Sequence, residues 1–191
     1  MLIQALFVTL IVTQVLFFIV VVLAFLSVIV CTTSIIMGVP FVRTPSRLYD
    51  QIERALSINP GDTMYELGSG DGGLSLSFSQ RFPEARFIGV ERNPLLFAYA
   101  QTKKRFLGNP SNLSFRRESF FDTDLKDATK IYAYLSGSIM DMLLPKLERE
   151  CSCTKLASRA FEFKKKAHAD ARRIAKKDGF HGQHMLYMYE F

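Results

Sequence analysis

The sequence predicts an α/β domain with a doubly wound, mostly parallel sheet and an antiparallel hairpin at its C-terminal edge, preceded by one N-terminal transmembrane helix. Residues 1–37 are almost continuously apolar and lack charged side chains. Strand-like and helix-like runs then alternate, which is typical of parallel sheets with helices on both faces. A glycine-rich turn at residues 68–73 separates the first of these strands from the helix that follows it.

The apolar segment 1–37 is longer than the roughly 20 residues that a helix needs to cross a bilayer. A cleaved signal peptide is an alternative, but no Lys or Arg precedes the run, and its length exceeds that of an h-region. A helical hairpin is a second alternative, for which the run contains no turn signal. One apolar segment predicts a single-pass membrane protein. Arg43 and Arg47 follow the segment, so the positive-inside rule predicts that the domain lies on the cytoplasmic side.

The remaining chain of about 150 residues is long enough for one domain. The protein has 191 residues and a net charge of +6, and every charged side chain lies at or after Arg43. A basic domain beside an apolar segment favours the lipid bilayer as a partner. No basic stripe is interleaved with aromatic residues, so we expect no nucleic-acid partner. A basic run near the C-terminus, residues 164–177, could contact anionic headgroups or be a solvated face.

Cysteine and histidine patterns predict no metal site. Cys151 and Cys153 are two positions apart without a second pair nearby, which is not zinc spacing. The sequence contains no convincing set of residues for nucleophilic catalysis, and it does not predict the oligomeric state.

Three segments organise the chain: an anchor at residues 1–37, a proline-containing linker at residues 38–46, and a domain at residues 47–191. Helices are predicted at Arg47–Leu56, Leu74–Phe82, Pro94–Phe106 and Met140–Glu150. Strands are predicted at Thr63–Leu67, Arg86–Glu91, Leu113–Glu118, Ile131–Leu135, Lys155–Phe163 and His184–Phe191. Residues 167–177 could be helix or strand, and an edge hairpin with the last strand would fit.

The glycine pattern fits two kinds of nucleotide site. Gly68, Gly70 and Gly73 match the dinucleotide fingerprint, and Glu91 lies where that fold places its ribose-binding acid. Gly68, Gly70 and Gly72, preceded by Glu66, equally match E-x-G-x-G-x-G. The carboxylate at the strand end favours the second pattern. So do the helix before the first strand and the lack of residues for a substrate domain.

This second pattern resembles motif I of class I S-adenosylmethionine (SAM)-dependent methyltransferases, whose fold is Rossmann-like. Residues 38–45 (GVPFVRTP) and 65–72 (YELGSGDG) look like segments of the lysine methyltransferases that modify the c-subunit of ATP synthase, and of their bacterial relatives. The resemblance extends over most of residues 38–191. Gly73 and Gly137 depart from it, since relatives often have a basic residue and a proline at these positions.

The resemblance implies SAM as cofactor and a set of residues around it. The candidate cofactor-binding residues are Glu66, Gly68, Ser69, Gly70, Asp71, Glu91, Arg92, Asn93, Ser119, Phe120 and Thr44. The glycines would bring backbone N–H groups close to the methionine moiety, and Glu66 would face its amino group or be a capping carboxylate. Glu91 would accept hydrogen bonds from the ribose hydroxyls, and Ser119 or the backbone at Phe120 would meet the adenine or belong to a core turn.

Tyr134 and Ser136 are the tentative catalytic residues, because they lie at the end of the fourth predicted strand, beside the expected point of methyl transfer. The ring of Tyr134 could hold an ammonium group, or it could be an ordinary half-buried strand tyrosine. The resemblance implies a lysine in a membrane protein as the methyl acceptor. A lipid or quinone methyltransferase and a non-catalytic SAM-binding membrane module remain open alternatives.

Overall fold

The computed structural model describes residues 2–36, 42–164, 172–174 and 185–191. The chain divides into two compact units, Met1–Phe41 and Val42–Phe191. The first unit contains one helix, α1 (Leu2–Ile36). Its stretch Leu6–Ile29 is long and apolar enough to cross a membrane, and none of that stretch is buried within the structure.

The second unit contains four α-helices, one short 3-10 turn and seven strands within the described residues. The 3-10 turn (Ser46–Leu48) leads directly into the first of these helices. The helices are α2 (Tyr49–Leu56), α3 (Gly73–Arg81), α4 (Pro94–Phe106) and α5 (Gly137–Glu150). The strands are β1 (Thr63–Leu67), β2 (Arg86–Val90), β3 (Leu113–Arg116), β4 (Lys130–Ala133), β5 (Lys155–Arg159), β6 (Arg172–Ile174) and β7 (Leu186–Glu190).

The seven strands form one mixed sheet in the order β3-β2-β1-β4-β5-β7-β6. Strands β1 to β5 are parallel, whereas β7 pairs antiparallel with both β5 and β6, in agreement with the predicted edge hairpin. From β1 the chain builds outward to β2 and β3 on one side, and then to β4 and β5 on the other. This reversal places a crevice at the carboxyl ends of β1 and β4, where open α/β sheets bind their ligands.

Both faces of the sheet are buried, as expected for parallel strands covered by helices. On one face, apolar residues of α2 and α3 pack in one cluster with strand residues from most of the sheet, including Met64, Phe87, Leu113, Tyr132 and Ala157. Strand residues that point to the opposite face are also buried, including Leu67, Ile88, Val90, Ile131 and Leu156. The sheet is therefore a rigid platform for the loops at its carboxyl edge.

Several predicted boundaries differ from the structure. Strand β4 ends at Ala133, so Tyr134 lies just beyond it. Strand β5 ends at Arg159 and not at Phe163, because Ala160 has a φ of 67° and leaves the extended conformation. Helix α5 begins at Gly137 and continues through Pro145, which is exposed. Residues 38–41 of the linker, and residues 165–171 and 175–184 of the basic tail, lie outside the described residues.

Candidate active site

The glycine turn after β1 is fastened to the end of β2. The N–H groups of Gly68 and Ser69 both donate to the Val90 carbonyl at 2.9 Å. Gly68, Gly70 and Gly72 have φ angles of 76°, 55° and 68°, a conformation that glycine adopts without steric cost. The N–H groups of Gly68 and Ser69 thus point into the protein. The backbone of Gly68 is nevertheless exposed, and it is the part of the turn that a ligand can approach closely.

Glu91, the first residue after β2, joins the glycine turn to the start of α4. Its Oε2 accepts a hydrogen bond from the Gly70 N–H at 2.8 Å, and its Oε1 accepts one from the Asn93 N–H at 2.7 Å. Burial raises the pKa of this carboxyl above its ordinary value. An ionised carboxylate has about four acceptor positions. Glu91 can therefore accept the hydroxyls of a ribose without losing its backbone partners.

Glu66 lies at the end of β1 and is buried. Its Oε2 accepts hydrogen bonds from the Ser75 N–H at 3.0 Å and from the Ser75 hydroxyl at 2.5 Å, in the first turn of α3. Burial raises the pKa of Glu66 to about 8. The structure thus gives Glu66 a capping role, the alternative that the sequence left open, and its contact with the amino group of SAM stays a prediction.

Asp71 ties the glycine turn to two other elements. Its Oδ2 lies 3.0 Å from Nζ of Lys103 on α4 and 3.2 Å from Nε of Arg43, which precedes the 3-10 turn. A Cβ built at Gly73 would lie 2.9 Å from the Tyr49 hydroxyl and 3.4 Å from Nζ of Lys103. Lys103 thus places a cation from α4 beside Gly73, the position where the resemblance implies a basic residue.

The remaining candidate residues on the β2–β3 side lie at the same edge of the sheet. Ser119 and Phe120 follow β3, and the Ser119 hydroxyl accepts the Phe121 N–H at 3.2 Å. Asn93 is buried and caps α4, since its Oδ1 accepts the N–H groups of Leu95 and Leu96 at 2.9 and 3.3 Å. The Arg92 side chain is exposed. This edge combines a carboxylate, aromatic rings and backbone groups, the chemistry that an adenosine requires.

On the β4 side of the crevice, the candidate residues Thr44 and Tyr134 contact different partners. The hydroxyls of Thr44 and Tyr132 lie 2.9 Å apart, which connects the segment before α2 to the sheet. Tyr134 is half-buried, and the Arg159 guanidinium lies 4.4 Å from the centre of its ring. The Ser136 hydroxyl lies 3.2 Å from that of Ser138 at the start of α5.

Arg159 was missed by the sequence reasoning, which extended β5 past it to Phe163 and singled out no residue of that strand. The available signal was an arginine at the carboxyl end of the strand next to β4, followed by the apolar residues Ala160 and Phe161. One face of the Tyr134 ring contacts this guanidinium and is not open to an acceptor ammonium.

The residues at this edge fit SAM. The hydroxyl of Ser69 is buried within the glycine turn and has no hydrogen-bond partner in the part of the chain that the structure describes. Glu91 has spare acceptor capacity, and Gly68 leaves room for close approach. Among the described residues, no group of three or more His, Cys, Asp or Glu side chains could hold a metal ion.

Comparison with known proteins identifies similar chains. A protein-lysine N-methyltransferase from Saccharolobus islandicus is 27% identical over 157 residues, which is 82% of this chain and 96% of the relative. The lysine N-methyltransferase for the ATP synthase c-subunit from Caenorhabditis elegans is 30% identical over 129 residues, covering 64% of this chain and 67% of the relative. An RNA methyltransferase from Salinibacter ruber, solved with S-adenosyl-L-homocysteine, superimposes with a TM-score of 0.70 at 25% identity, covering 78% of this chain and 93% of that one.

The family model of the ANTKMT methyltransferase domain matches residues 66–170, which begin at Glu66 and include the glycine turn and Glu91. This match confirms the predicted resemblance, and the solved relative with the demethylated cofactor confirms SAM as the methyl donor. The chain therefore belongs to the ANTKMT methyltransferase domain family and is a SAM-dependent methyltransferase.

Proposed function

We propose that this protein is a membrane-anchored methyltransferase that N-methylates a lysine of a membrane protein. The observation that carries the proposal is the likeness to lysine N-methyltransferases, one of which is named for the c-subunit of ATP synthase. The likeness to the Saccharolobus islandicus relative covers 82% of the chain, so it includes more than the glycine turn.

Helix α1 supports the anchoring. The stretch Leu6–Ile29 has 24 residues, which at 1.5 Å per residue extend about 36 Å, enough to cross the hydrocarbon core of a bilayer. The hydroxyls of Thr13 and Thr32 donate to the Leu10 and Val28 carbonyls at 2.8 and 2.7 Å. These hydroxyls are satisfied within the helix, which lipid requires. Arg43 and Arg47 favour the cytoplasmic side for the domain.

The proposed chemistry is an in-line displacement in which positioning supplies most of the catalysis. SAM supplies a methyl group on a positively charged sulfur. Glu91 and the Ser119–Phe120 segment would hold the adenosine portion, and the glycine turn would accommodate the amino-acid portion. Tyr134 and Ser136 lie beyond β4, where their hydroxyls could accept a hydrogen bond from the lysine amine. That amine must be unprotonated to attack.

Anchoring raises the effective concentration of substrates held in the same bilayer. This advantage would serve a lysine in a small membrane protein, and it would equally serve a lipid or a quinone. The basic run at residues 164–177, most of which lies outside the described residues, would add attraction to anionic headgroups.

The experiment that tests the proposal is incubation of membranes containing the full-length protein with methyl-labelled SAM, followed by separation of protein, lipid and RNA. We expect label in a membrane protein, recovered as methyllysine after hydrolysis. A Gly70→Val variant is the inactive control, since a β-branched residue at a φ of 55° would distort the turn that Glu91 holds. Label in lipid or quinone would show the alternative activity, and label in RNA would contradict the expected partners. Cofactor binding without any label would indicate a non-catalytic module.

A further inference from the structure

Arg159, the last residue of β5, is a buried guanidinium with N–H groups left unpaired among the described residues. The residue is 6% exposed, and its Nε and Nη1 atoms are buried without a hydrogen-bond partner in the part of the chain that the structure describes. Buried charges are normally paired and hydrogen-bonded, because desolvation of an unpaired ion is strongly unfavourable. A bound anion would supply the missing partner.

The surrounding structure holds Arg159 in place while its Nε and Nη1 atoms have no partner among the described residues. Arg159 pairs with Leu186 of β7, and the next residue, Ala160, donates its N–H to the Met185 carbonyl at 2.8 Å. The guanidinium lies over the Tyr134 ring with 4.4 Å between its carbon and the ring centre. A guanidinium over an aromatic ring keeps its N–H groups as donors for charge-assisted hydrogen bonds to a carboxylate.

The position of Arg159 in the sheet relates it to the SAM site. Leu67 pairs with Ala133, so the Gly68 turn and Tyr134 follow neighbouring strands at the same edge. Strand β5 is the next strand along, beyond β4. If adenosine lies on the Glu91 side of the glycine turn, the amino-acid end of SAM extends the other way, toward β4. That end carries a carboxylate.

We propose that Arg159 binds a carboxylate at the β4 side of the crevice. Two sources present this chemistry there: the methionyl carboxylate of SAM, and an acidic side chain of the acceptor protein near its target lysine. The inference rests on the proposed placement of SAM. It makes Arg159 a binding residue, with Tyr134 as the surface that orients it.

The test compares the full-length protein in detergent with its Arg159→Met and Arg159→Lys variants, using SAM and decarboxylated SAM as the two probes. If the methionyl carboxylate is the ligand, the parent binds SAM at least tenfold more tightly than decarboxylated SAM, and Arg159→Met loses this preference. If the acceptor supplies the carboxylate, both probes bind all variants equally. In that case Arg159→Met requires at least tenfold more acceptor membrane for half-maximal methylation at saturating SAM.

Arg54→Met, at an exposed arginine of α2, is the matched control and should change neither measurement. Arg159→Met should unfold at the same or a higher temperature, since replacing a buried charge by an apolar residue of similar volume is often neutral or stabilising. If Arg159→Met does not fold, Arg159→Lys makes the same comparison, because it keeps the charge but replaces the planar guanidinium by an ammonium group. Unchanged affinity for both probes and for acceptor membranes would overturn the inference. Because the parent still reports SAM binding, that result would leave the proposed function intact.

Discussion

At the scale of single residues, two carboxylates at neighbouring strand ends have different surroundings. Glu66 is enclosed and bonded to Ser75, whereas Glu91 is only partly buried and is bonded to two backbone N–H groups. Burial raises the pKa of both, and raises that of Glu66 to about 8. Glu66 is therefore expected to be protonated at neutral pH in the folded, ligand-free protein, while it ionises near 4.5 when the chain unfolds.

This difference predicts a pH dependence of stability. Between pH 4.5 and 8 the unfolded state has lost the Glu66 proton and the folded state retains it, so the free energy of unfolding falls as pH rises and levels off above about 8. The slope from one such group is about 1.4 kcal/mol per pH unit. Glu66→Gln should remove this pH dependence of the free energy of unfolding, because the amide does not titrate. Urea denaturation at pH 5.5, 6.5 and 7.5 measures the slope.

Glu84→Gln, at an exposed position in the turn before β2, is the control for that series and should keep the parent slope. Equal slopes for parent and Glu66→Gln would mean that Glu66 is ionised in the folded protein.

Glu91 leads to a prediction about cofactor affinity. A carboxylate that holds both ribose hydroxyls makes charge-assisted hydrogen bonds worth about 1.5–3 kcal/mol each. Glu91→Ala should therefore weaken SAM binding at least tenfold, since tenfold corresponds to about 1.4 kcal/mol. Glu91→Gln should lose less affinity for SAM than Glu91→Ala does. Titration calorimetry gives the affinities, with Glu84→Ala as the unaffected control.

Because Glu91 also bonds Gly70 and Asn93, the Ala variant should lose some stability without unfolding, about 1–3 kcal/mol. The prediction fails if Glu91→Ala binds SAM like the parent while Glu84→Ala does not. The ribose contact would then have to be assigned to a residue other than Glu91.

At the scale of elements, glycines allow β3 to approach the glycine turn. A Cβ at Gly72 would lie 2.4 Å from the Phe115 ring, and a Cβ at Gly89 on β2 would lie 2.5 Å from it. Phe115 of β3 therefore packs across Gly89 and reaches Gly72 at the start of α3. Gly72 is needed for packing between elements as well as for its backbone conformation.

Gly72→Ala should consequently destabilise the domain by about 3 kcal/mol, from backbone strain plus overlap with a buried ring. Gly61→Ala is the matched control: its φ of 82° is similar, but nothing lies within 4 Å of the added Cβ, so only about 1 kcal/mol is expected. Thermal unfolding of both variants measures the difference. Equal losses would show that Phe115 moves aside without cost.

At the scale of the whole molecule, Cys153 offers a natural reporter of membrane sidedness. Cys153 is exposed in the domain, whereas Cys151 is buried. In a Cys31→Ser background we expect Cys153 to react with a membrane-impermeant maleimide only after cells are permeabilised, because the positive-inside rule places the domain in the cytoplasm. Cys153→Ser should abolish the label. Labelling in intact cells would reverse the proposed topology.

The division into Met1–Phe41 and Val42–Phe191 predicts that the second unit folds and binds cofactor without the first. A purified 42–191 fragment should bind SAM or its demethylated product and should not bind NAD, because its glycine turn belongs to a SAM-dependent family. Calorimetry with all three ligands tests this. NAD binding without SAM binding would be incompatible with the family assignment.

The sequence by itself determined the apolar first segment, the alternation of strands and helices, and the glycine turn after the first strand. These features are local: each depends on periodicity or on residue type within one short segment. Strand β1 was predicted with its observed bounds for that reason, since Pro60 and Gly61 precede it and Gly68 follows it.

Only the tertiary structure decided which side chains meet. The bond of Glu66 to Ser75 depends on how α3 turns back over β1, and the pairing of Asp71 with Lys103 and Arg43 depends on three separate segments. Contact between Arg159 and Tyr134 requires β5 to lie beside β4 in a particular register. Such contacts join residues distant in the chain, so strand order and packing create them, and no local pattern encodes them.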